Sequence, residues 1–187
     1  MNSLAVTDSL LLLVTIMIAA GAKYPPSLRL SAGIFAAAAL LGVLRFTDLL
    51  PLPQMHAFFS SLGATAAYPL LAAGFIWSGS VLAQRWRFAS IFFVIAGASG
   101  LIASALEFAL WGNLVALLSV AALATHAIIV KDIQVASGAA ALLVALILFA
   151  SKAALPPYLQ AGDFLHVFMA LGLMLLSRRG AVSSGVT

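Results

Sequence analysis

The chain has 187 residues, of which 64% are hydrophobic and only 7% are charged. So few polar side chains could not cover a soluble domain of this size, and the composition therefore predicts a polytopic membrane protein. The formal net charge of +4 would suit nucleic acid in a soluble chain, but here the basic residues lie between apolar runs, so we predict no nucleic-acid role. Cysteine is absent, which excludes disulfides and leaves histidine and carboxylates to bind any metal.

Seven apolar runs predict an all-α fold, a seven-transmembrane-helix bundle that forms a single domain over residues 1–187, because each run has about the 20 residues that cross a bilayer. The predicted spans are 4–22, 28–46, 57–83, 88–111, 114–130, 133–152 and 162–177. Ala20 to Ala22 resemble a signal-peptide cleavage site, but we expect the first span to be retained, because no basic region precedes it. Thr7 or Asp8 is expected to cap this helix or to place charge at its start.

Two spans carry features that predict close packing. Pro69 is the only proline expected inside a helix, and it should free the carbonyl of Thr65 and kink the third span. Neighbouring helices must then solvate the freed carbonyl. In the fourth span, Ala96, Gly100 and Ser104 are four residues apart and should form one small-residue face against another helix.

Lysine and arginine are unevenly divided between the two membrane faces. One face holds Lys23, Arg29, Arg85, Arg87, Lys131, Arg178 and Arg179, and the other holds Arg45 and Lys152. Because cytoplasmic loops carry the excess of basic residues, we predict a cytoplasmic C-terminus and an external N-terminus. We expect the membrane to be a bacterial inner membrane.

Ionisable side chains near or inside the spans are predicted to gather in the outer half of the membrane. A rise of about 1.5 Å per residue, counted from the cytoplasmic ends of the spans, places them there. They are Asp8, Arg45, Asp48, Glu107, Asp163 and His166. Such charges are costly in lipid, so they normally face the bundle interior, pair with one another or line water.

Each of these residues also has a structural interpretation. Asp163 follows Gly162 at a helix start, where a carboxylate would cap free N–H groups. It shares a helix face with His166, whose tautomer it would fix. Arg45 and Asp48 have the same spacing and would form an interfacial ion pair.

Asp8 and the other two histidines also have structural interpretations. Asp8 suits a helix start, His126 suits an interhelical hydrogen bond near the cytoplasmic face, and His56 suits a solvated position before the third span. The candidate catalytic residues are His166, Asp163 and Glu107. The candidate metal ligands are His166, His56 and Asp8.

The final span contains DFLHVFMALGL and resembles the last span of the CREST superfamily, which includes alkaline ceramidases and adiponectin-type receptors. TDSLLLL in the first span and AALLGVLRF in the second add to the similarity, which is greater still to small bacterial seven-span proteins of that type. The resemblance implies a zinc-dependent hydrolase of lipid amides or esters, with His166 as a zinc ligand. The family's second histidine would lie four residues away, where this chain has Gly162 and Ala170, and Arg45 stands where an earlier histidine is expected.

Three functions remain open on this sequence. The first is binding of a membrane lipid or a small molecule in an outer polar cavity, or service as the subunit of a protein partner, and we favour it because the zinc motif is incomplete. The second is a metal-dependent lipid hydrolase that uses His166, Asp163, His56 and Glu107 around a metal-activated water. The third is a small transporter or proton pathway through the ionisable residues.

Overall fold

The computed structural model describes residues 2–50, 52–155 and 158–180. These residues are mainly helical and contain no β-strand, which confirms the all-α fold class. The helices are α1 (Ser3–Ala20), α2 (Pro26–Phe46), α3 (Pro53–Leu62), α4 (Tyr68–Ile76), a short α5 (Val81–Gln84), α6 (Trp86–Ala105), α7 (Trp111–Ile129), α8 (Ile133–Ala150) and α9 (Ala161–Gly180). A π-helical turn, Gly63–Ala67, joins α3 to α4.

Seven helices in the described part of the chain are long and apolar enough to cross a membrane, which confirms the seven-helix architecture. One of them, Pro53–Ile76, consists of α3, the π-helical turn and α4. Large apolar side chains such as Leu13, Met17, Ile95 and Leu118 are exposed on the outside of the bundle, where lipid tails would cover them. The protein is therefore an integral membrane protein.

The start of α1 differs from the prediction. Asn2 caps this helix, because its side chain accepts a hydrogen bond from the N–H of Leu4. Neither Thr7 nor Asp8 caps it, since both lie beyond the first turn and are buried. The two residues are therefore available for contacts with other helices.

The third and fourth spans also begin or end at residues other than those predicted. The third begins at Pro53 and not at Ala57, because proline suits the first turn of a helix, and it stops at Ile76, after which Ser80 caps the separate helix α5. The fourth span ends at Ala105. Glu107 follows that end in the left-handed conformation, with φ 57°.

The predicted distortion of the third span takes the form of the π-helical turn, which ends two residues before Pro69. The N–H of Tyr68 reaches back to the carbonyl of Gly63, five residues earlier. The carbonyl of Ala67 accepts a hydrogen bond of 2.9 Å from the Ser31 hydroxyl of α2. A neighbouring helix therefore solvates the irregular backbone of this span, as expected for a break inside a membrane.

Six of the spans form a closed ring. α1 packs between α2 and α9, α8 packs between α9 and α7, and α4 packs against both α7 and α2. The small helix α5 and the span α6 lie outside this ring, where α6 contacts α2 and the π-helical turn. We call the end at which α1, α3, α7 and α9 begin the polar end, and the opposite end the basic end.

Glycines allow two helix pairs to approach closely. A β-carbon at Gly138 of α8 would lie 2.7 Å from Leu176, and one at Gly172 of α9 would lie 2.8 Å from Leu142. On α6, Gly100 faces Thr65, as the predicted small-residue face requires. The other members of that predicted face, Ala96 and Ser104, are not buried, and the buried face is instead Ala89, Gly97, Gly100 and Ala103.

Candidate functional site

A polar cluster lies where the first half of α1 packs against the start of α9. Asp8 of α1 and Asp163 of α9 are each only 1% exposed. Nδ1 of His166 lies 3.3 Å from Oδ1 of Asp8 and 3.4 Å from Oγ1 of Thr7. Since these groups pair with one another, the bundle offsets part of the cost of placing them in a membrane.

Asp163 accepts hydrogen bonds from three donors. Its Oδ2 accepts from the Ser3 hydroxyl at 2.8 Å and from the backbone N–H of Gln160 at 2.7 Å, and its Oδ1 accepts from the Thr7 hydroxyl at 3.0 Å. The bond from Gln160 is the helix-start role predicted for Asp163, because it satisfies an N–H that precedes α9. The bonds from Ser3 and Thr7 give the same carboxylate a second role, which is to attach α1 to α9.

The partner of His166 is not the one expected from spacing. Asp163 shares a helix face with the histidine, but the hydroxyl of Thr7 lies between them and contacts both. Asp8, on the neighbouring helix, is the carboxylate that approaches the ring. An i, i+3 spacing on one helix could not reveal this contact, since it depends on which helix packs against α9.

Gly42 of α2 makes room for Asp8. A β-carbon at this position would overlap both carboxylate oxygens of Asp8, and Oδ2 of Asp8 has no hydrogen-bond partner among the described residues. The position lies in the AALLGVLRF segment, and nothing in the sequence distinguishes this glycine from Gly33 of the same helix. The carboxylate is therefore held by α1, α2 and α9 together.

A cavity of about 850 Å³ lies beside this cluster at the polar end. Most of its wall is apolar and comes from residues such as Leu11, Phe35, Ala39 and Leu146. Its polar lining residues include Asp8, Thr65, Tyr68, Trp111 and His166, which are wholly or partly buried, and Ser104, Glu107 and Asn113, which are exposed. The cavity thus combines an apolar wall with a few polar groups, as small-molecule sites in proteins do.

Two of the cavity-lining residues carry hydrogen-bond donors without a partner. The hydroxyl of Tyr68 and the Nε1–H of Trp111 are both buried, and neither makes a hydrogen bond within the described part of the chain. Tyr68 is 4% exposed and its ring packs edge-on against Phe35, which fixes its direction. A buried donor without a partner costs about 1 to 3 kcal/mol, so these two groups make the packing beside the cavity less stable.

Of the other predicted site residues, His56 and Glu107 line this cavity, whereas Arg45 and Asp48 are not among its lining residues. Arg45 lies 3.4 Å from Nδ1 of His56, while His56 packs against Phe46. Asp48 is exposed in a turn, and no ion pair joins it to Arg45 in residues 2–50. The predicted ion pair is therefore wrong. Glu107 lines the cavity from the exposed turn after α6.

The three candidate metal ligands do not form a metal centre. Among the residues that the structure describes, no three histidine or carboxylate side chains are close enough together to hold a metal ion. His56 turns towards Arg45, and Oδ1 of Asp8 is already occupied by His166. Since a zinc site needs three protein ligands, the described residues do not fit the zinc centre that the CREST resemblance implies.

The basic end is built differently. Arg179 donates to Asp132 at 2.8 Å, and Asp132 also accepts from the N–H of Val135 as the cap of α8. The Val135 N–H and then the Arg179 guanidinium hold the pKa of Asp132 below its ordinary value. His126 lies beside this pair at a second cavity of about 220 Å³, and its side chain makes no hydrogen bond to any residue that the structure describes.

No protein-family model matches this chain, and neither the curated proteins nor the solved structures include a significant match. The CREST resemblance therefore stays a prediction that rests on the short segments quoted above.

Proposed function

We propose that this membrane protein binds an amphiphilic molecule, with its apolar part against the cavity wall and its polar part near α1, α7 and α9. The observation that carries the proposal is the cavity of about 850 Å³, whose wall is mainly apolar and whose polar lining residues include Asp8 and His166. Sites for small molecules are typically concave, mainly apolar and equipped with a few directed polar groups. The lining of this cavity has that composition.

A membrane lipid or a lipid-like small molecule suits the position of the cavity better than a freely soluble solute does. The wall is formed by spans, and residues such as Leu11, Ala39 and Leu146 would contact hydrocarbon favourably. The polar cluster borders only part of the wall, through Asp8 and His166. This asymmetry favours a ligand with one polar end.

We also propose that the polar end faces the outside of a bacterial inner membrane. The support is the charge distribution, because seven of the nine lysine and arginine residues lie at the basic end, and such an excess marks the cytoplasmic face. Reporter fusions after Lys152 and after Arg179 should then report opposite sides of the membrane. A cytoplasmic report from the Lys152 fusion would contradict this orientation.

The cavity can be tested with two neighbouring alanines of α2. Ala38 and Ala37 are both half-buried, but only Ala38 lines the cavity. In lipid nanodiscs, Ala38→Phe should strongly weaken the binding of a fluorescent long-chain alcohol, because the added ring occupies the cavity. Ala37→Phe should leave the affinity unchanged. Equal affinities for the wild type and Ala38→Phe, or no binding by the wild type, would contradict the proposal.

Hydrolysis of a lipid ester or amide is the second candidate. One observation favours it, which is that the carboxylate of Asp8 approaches Nδ1 of His166 beside the cavity. A carboxylate in that position orients an imidazole for general base catalysis. Release of fatty acid from a bound lipid ester by the wild type, and its loss in His166→Gln with retained binding, would support hydrolysis over simple binding.

A further inference from the structure

Arg29 is held in a defined orientation at the basic end of the bundle. Its Nε donates to the carbonyl of Ala19 in the last turn of α1 at 3.0 Å, and its guanidinium carbon lies 5.2 Å from the centre of the Trp86 ring. A carbonyl in the last turn of a helix lacks an intrahelical partner, and an indole face attracts a cation, so both contacts stabilise this orientation. Only one of the donor nitrogens of the guanidinium is used in this way.

The two Nη groups of Arg29 are left without an acceptor. Neither makes a hydrogen bond or an ion pair within the residues that the structure describes. Arg85 and Arg87, the chain neighbours of Trp86, are exposed and have no acidic partner in the described part of the chain. Three arginines are therefore associated with one indole ring without a carboxylate to neutralise them.

The composition of the chain explains why these arginines lack a partner. The sequence contains only five aspartate and glutamate residues. Four of them lie at the polar end, and the fifth, Asp132, is paired with Arg179 of α9. An anion that balances the charge around Trp86 must therefore come from outside the described residues.

The position and the geometry of the arginines favour the phosphate of a lipid headgroup as that anion. A guanidinium presents its N–H groups as a planar fork that matches two oxygens of one phosphate. Trp86 is exposed at the first residue of a span, and a tryptophan at the end of a span lies at the level of the lipid headgroups. A headgroup with a net negative charge is favoured over a zwitterionic one, because the ammonium of the latter would meet only like charges.

The surface of α6 next to Arg87 suits the acyl chains of such a lipid. Ile91 and Val94 follow Arg87 at i+4 and i+7, so the three residues share one helix face. Both apolar side chains are exposed, and α6 lies outside the closed ring of spans. A lipid would cover this face with hydrocarbon, whereas a soluble phosphate compound would leave it without a contact.

We infer that Arg29, Arg85, Arg87 and Trp86 form a binding site for the headgroup of an anionic glycerophospholipid, whose acyl chains lie along α6. The Nη groups of Arg29 donate to the phosphate, and the two exposed arginines supply further positive charge around it. This site lies at the opposite end of the bundle from the amphiphile cavity and does not depend on the function proposed for that cavity.

Competition between lipids tests the site on the full-length protein in dodecyl maltoside micelles. The probe is phosphatidylglycerol with a fluorescent label on one acyl chain. Unlabelled phosphatidylglycerol should displace it at a concentration roughly ten-fold lower than phosphatidylcholine does, because basic residues near a membrane surface attract anionic lipids. Glycerol phosphate should not displace the probe. Ala38→Phe, which fills the polar-end cavity, should bind the probe as tightly as the wild type does.

Arg87→Gln removes one charge of the site and breaks no contact that the structure describes. It should weaken the binding of the probe roughly five-fold, the usual contribution of one basic residue near an anionic lipid surface. Arg178→Gln is the matched control, because Arg178 is also an exposed arginine of the basic end but belongs to α9, which packs against α1 and α8. Its affinity for the probe should be nearly that of the wild type.

Arg29→Lys distinguishes a built site from diffuse positive charge, because it keeps the charge and removes the planar fork. Its affinity for the probe should fall at least as far as that of Arg87→Gln. The thermal unfolding temperature of Arg29→Lys is measured in parallel, since Arg29 also binds the carbonyl of Ala19. If this variant does not fold, Arg87→Gln and Arg178→Gln decide the matter.

Four results would overturn the inference. Equal affinities of Arg87→Gln and Arg178→Gln, or an unchanged affinity of a folded Arg29→Lys, would mean that only diffuse charge attracts the lipid. Equal displacement by the two lipids would remove the requirement for an anionic headgroup. Displacement by glycerol phosphate as effective as that by phosphatidylglycerol would assign the arginines to a soluble phosphate compound. Loss of probe binding in Ala38→Phe would place the lipid in the polar-end cavity.

Discussion

The two ends of the bundle hold their charges in opposite ways. At the polar end, Asp8 and Asp163 are 1% exposed and depend on hydroxyls and an imidazole from a neighbouring helix. At the basic end, the ion pair between Arg179 and Asp132 is partly exposed, with side chains 52% and 18% accessible. Because a buried polar group that loses its partner costs more than an exposed ion pair contributes, we expect the contacts at the polar end to stabilise the fold more than the ion pair at the basic end.

The two ends also differ in how closely their helices pack. The polar end has the larger cavity and donors without partners, whereas the basic end closes through Gly138 and Gly172, where α8 and α9 touch. Proteins commonly keep incomplete packing where a ligand enters. Substitutions at the polar end should therefore affect both stability and ligand binding, and substitutions where α8 and α9 touch should affect stability alone.

Among the substitutions that test this difference between the two ends, Gly42→Ala should lower the free energy of unfolding the most. The new methyl group would overlap the carboxylate of Asp8, which has no free space because α9 holds its other side. We expect a loss of about 3 kcal/mol in the free energy of unfolding, at the upper end of ordinary overpacking. Equilibrium unfolding in detergent micelles measures it.

Gly33→Ala is the matched control for this substitution. It lies on the same helix, and a β-carbon there would meet nothing within 4 Å. Its stability should be unchanged or slightly higher, since alanine is the better helix former. Equal stabilities for the two variants would mean that Asp8 is not confined between α1, α2 and α9.

Asp163→Asn should cause the second largest loss in the free energy of unfolding. The amide keeps the shape of the side chain but replaces one acceptor oxygen with a donor, so one of the bonds from Ser3, Thr7 or Gln160 becomes a contact between two donors. We expect a loss of about 2 kcal/mol. Asp48→Asn is the matched control, because Asp48 is exposed and its side chain has no partner among the described residues whose contact the substitution would break. This substitution should change stability by less than about 0.5 kcal/mol. A neutral Asp163→Asn would show that this carboxylate does not attach α1 to α9.

The sequence was sufficient to predict the architecture because hydropathy depends on each span alone. It also predicted the distortion near Pro69, the helix-start role of Asp163 and the location of the buried charges at one end. Contacts between helices were not predictable in this way. Thr7 and Ser3 read as ordinary helix-start residues, and only the packing of α1 on α9 makes them partners of Asp163.

The described residues bring together neither the three candidate metal ligands nor Arg45 and Asp48, and the physical reason is the same in both cases. His56 and His166 lie on different spans, and Arg45 and Asp48 flank the end of a helix, so their distances depend on the direction of each helix and turn. Asp48 adopts the left-handed conformation, with φ 59°, which ends α2 before the i, i+3 geometry can form. A signal that could have indicated Gly42 or Tyr68 is absent, since both resemble ordinary residues of an apolar span.

Arg179→Ala should cause the smallest loss in the free energy of unfolding, because exposed ion pairs contribute at most about 1 kcal/mol. Arg178→Ala is its control, since no ion pair of Arg178 is present in the described residues. The pH dependence provides a sharper test. The folded-state pKa of Asp132 is below the ordinary value of 3.8, so its contribution is complete above that pH and is lost as the pH falls through the lower folded-state value.

Arg179→Ala removes only part of this acid dependence, because the hydrogen bond from the Val135 N–H, which is the largest single cause of the lowered pKa, remains. Acid unfolding of Arg179→Ala should therefore retain part of the acid dependence of the wild type. Asp132→Ala should abolish this part of the acid transition and should lower stability at neutral pH by about 1 kcal/mol, the usual value of a helix cap. If Arg179→Ala and Asp132→Ala gave the same acid profile, the ion pair and not the cap would govern the basic end, and its contrast with the buried polar end would weaken.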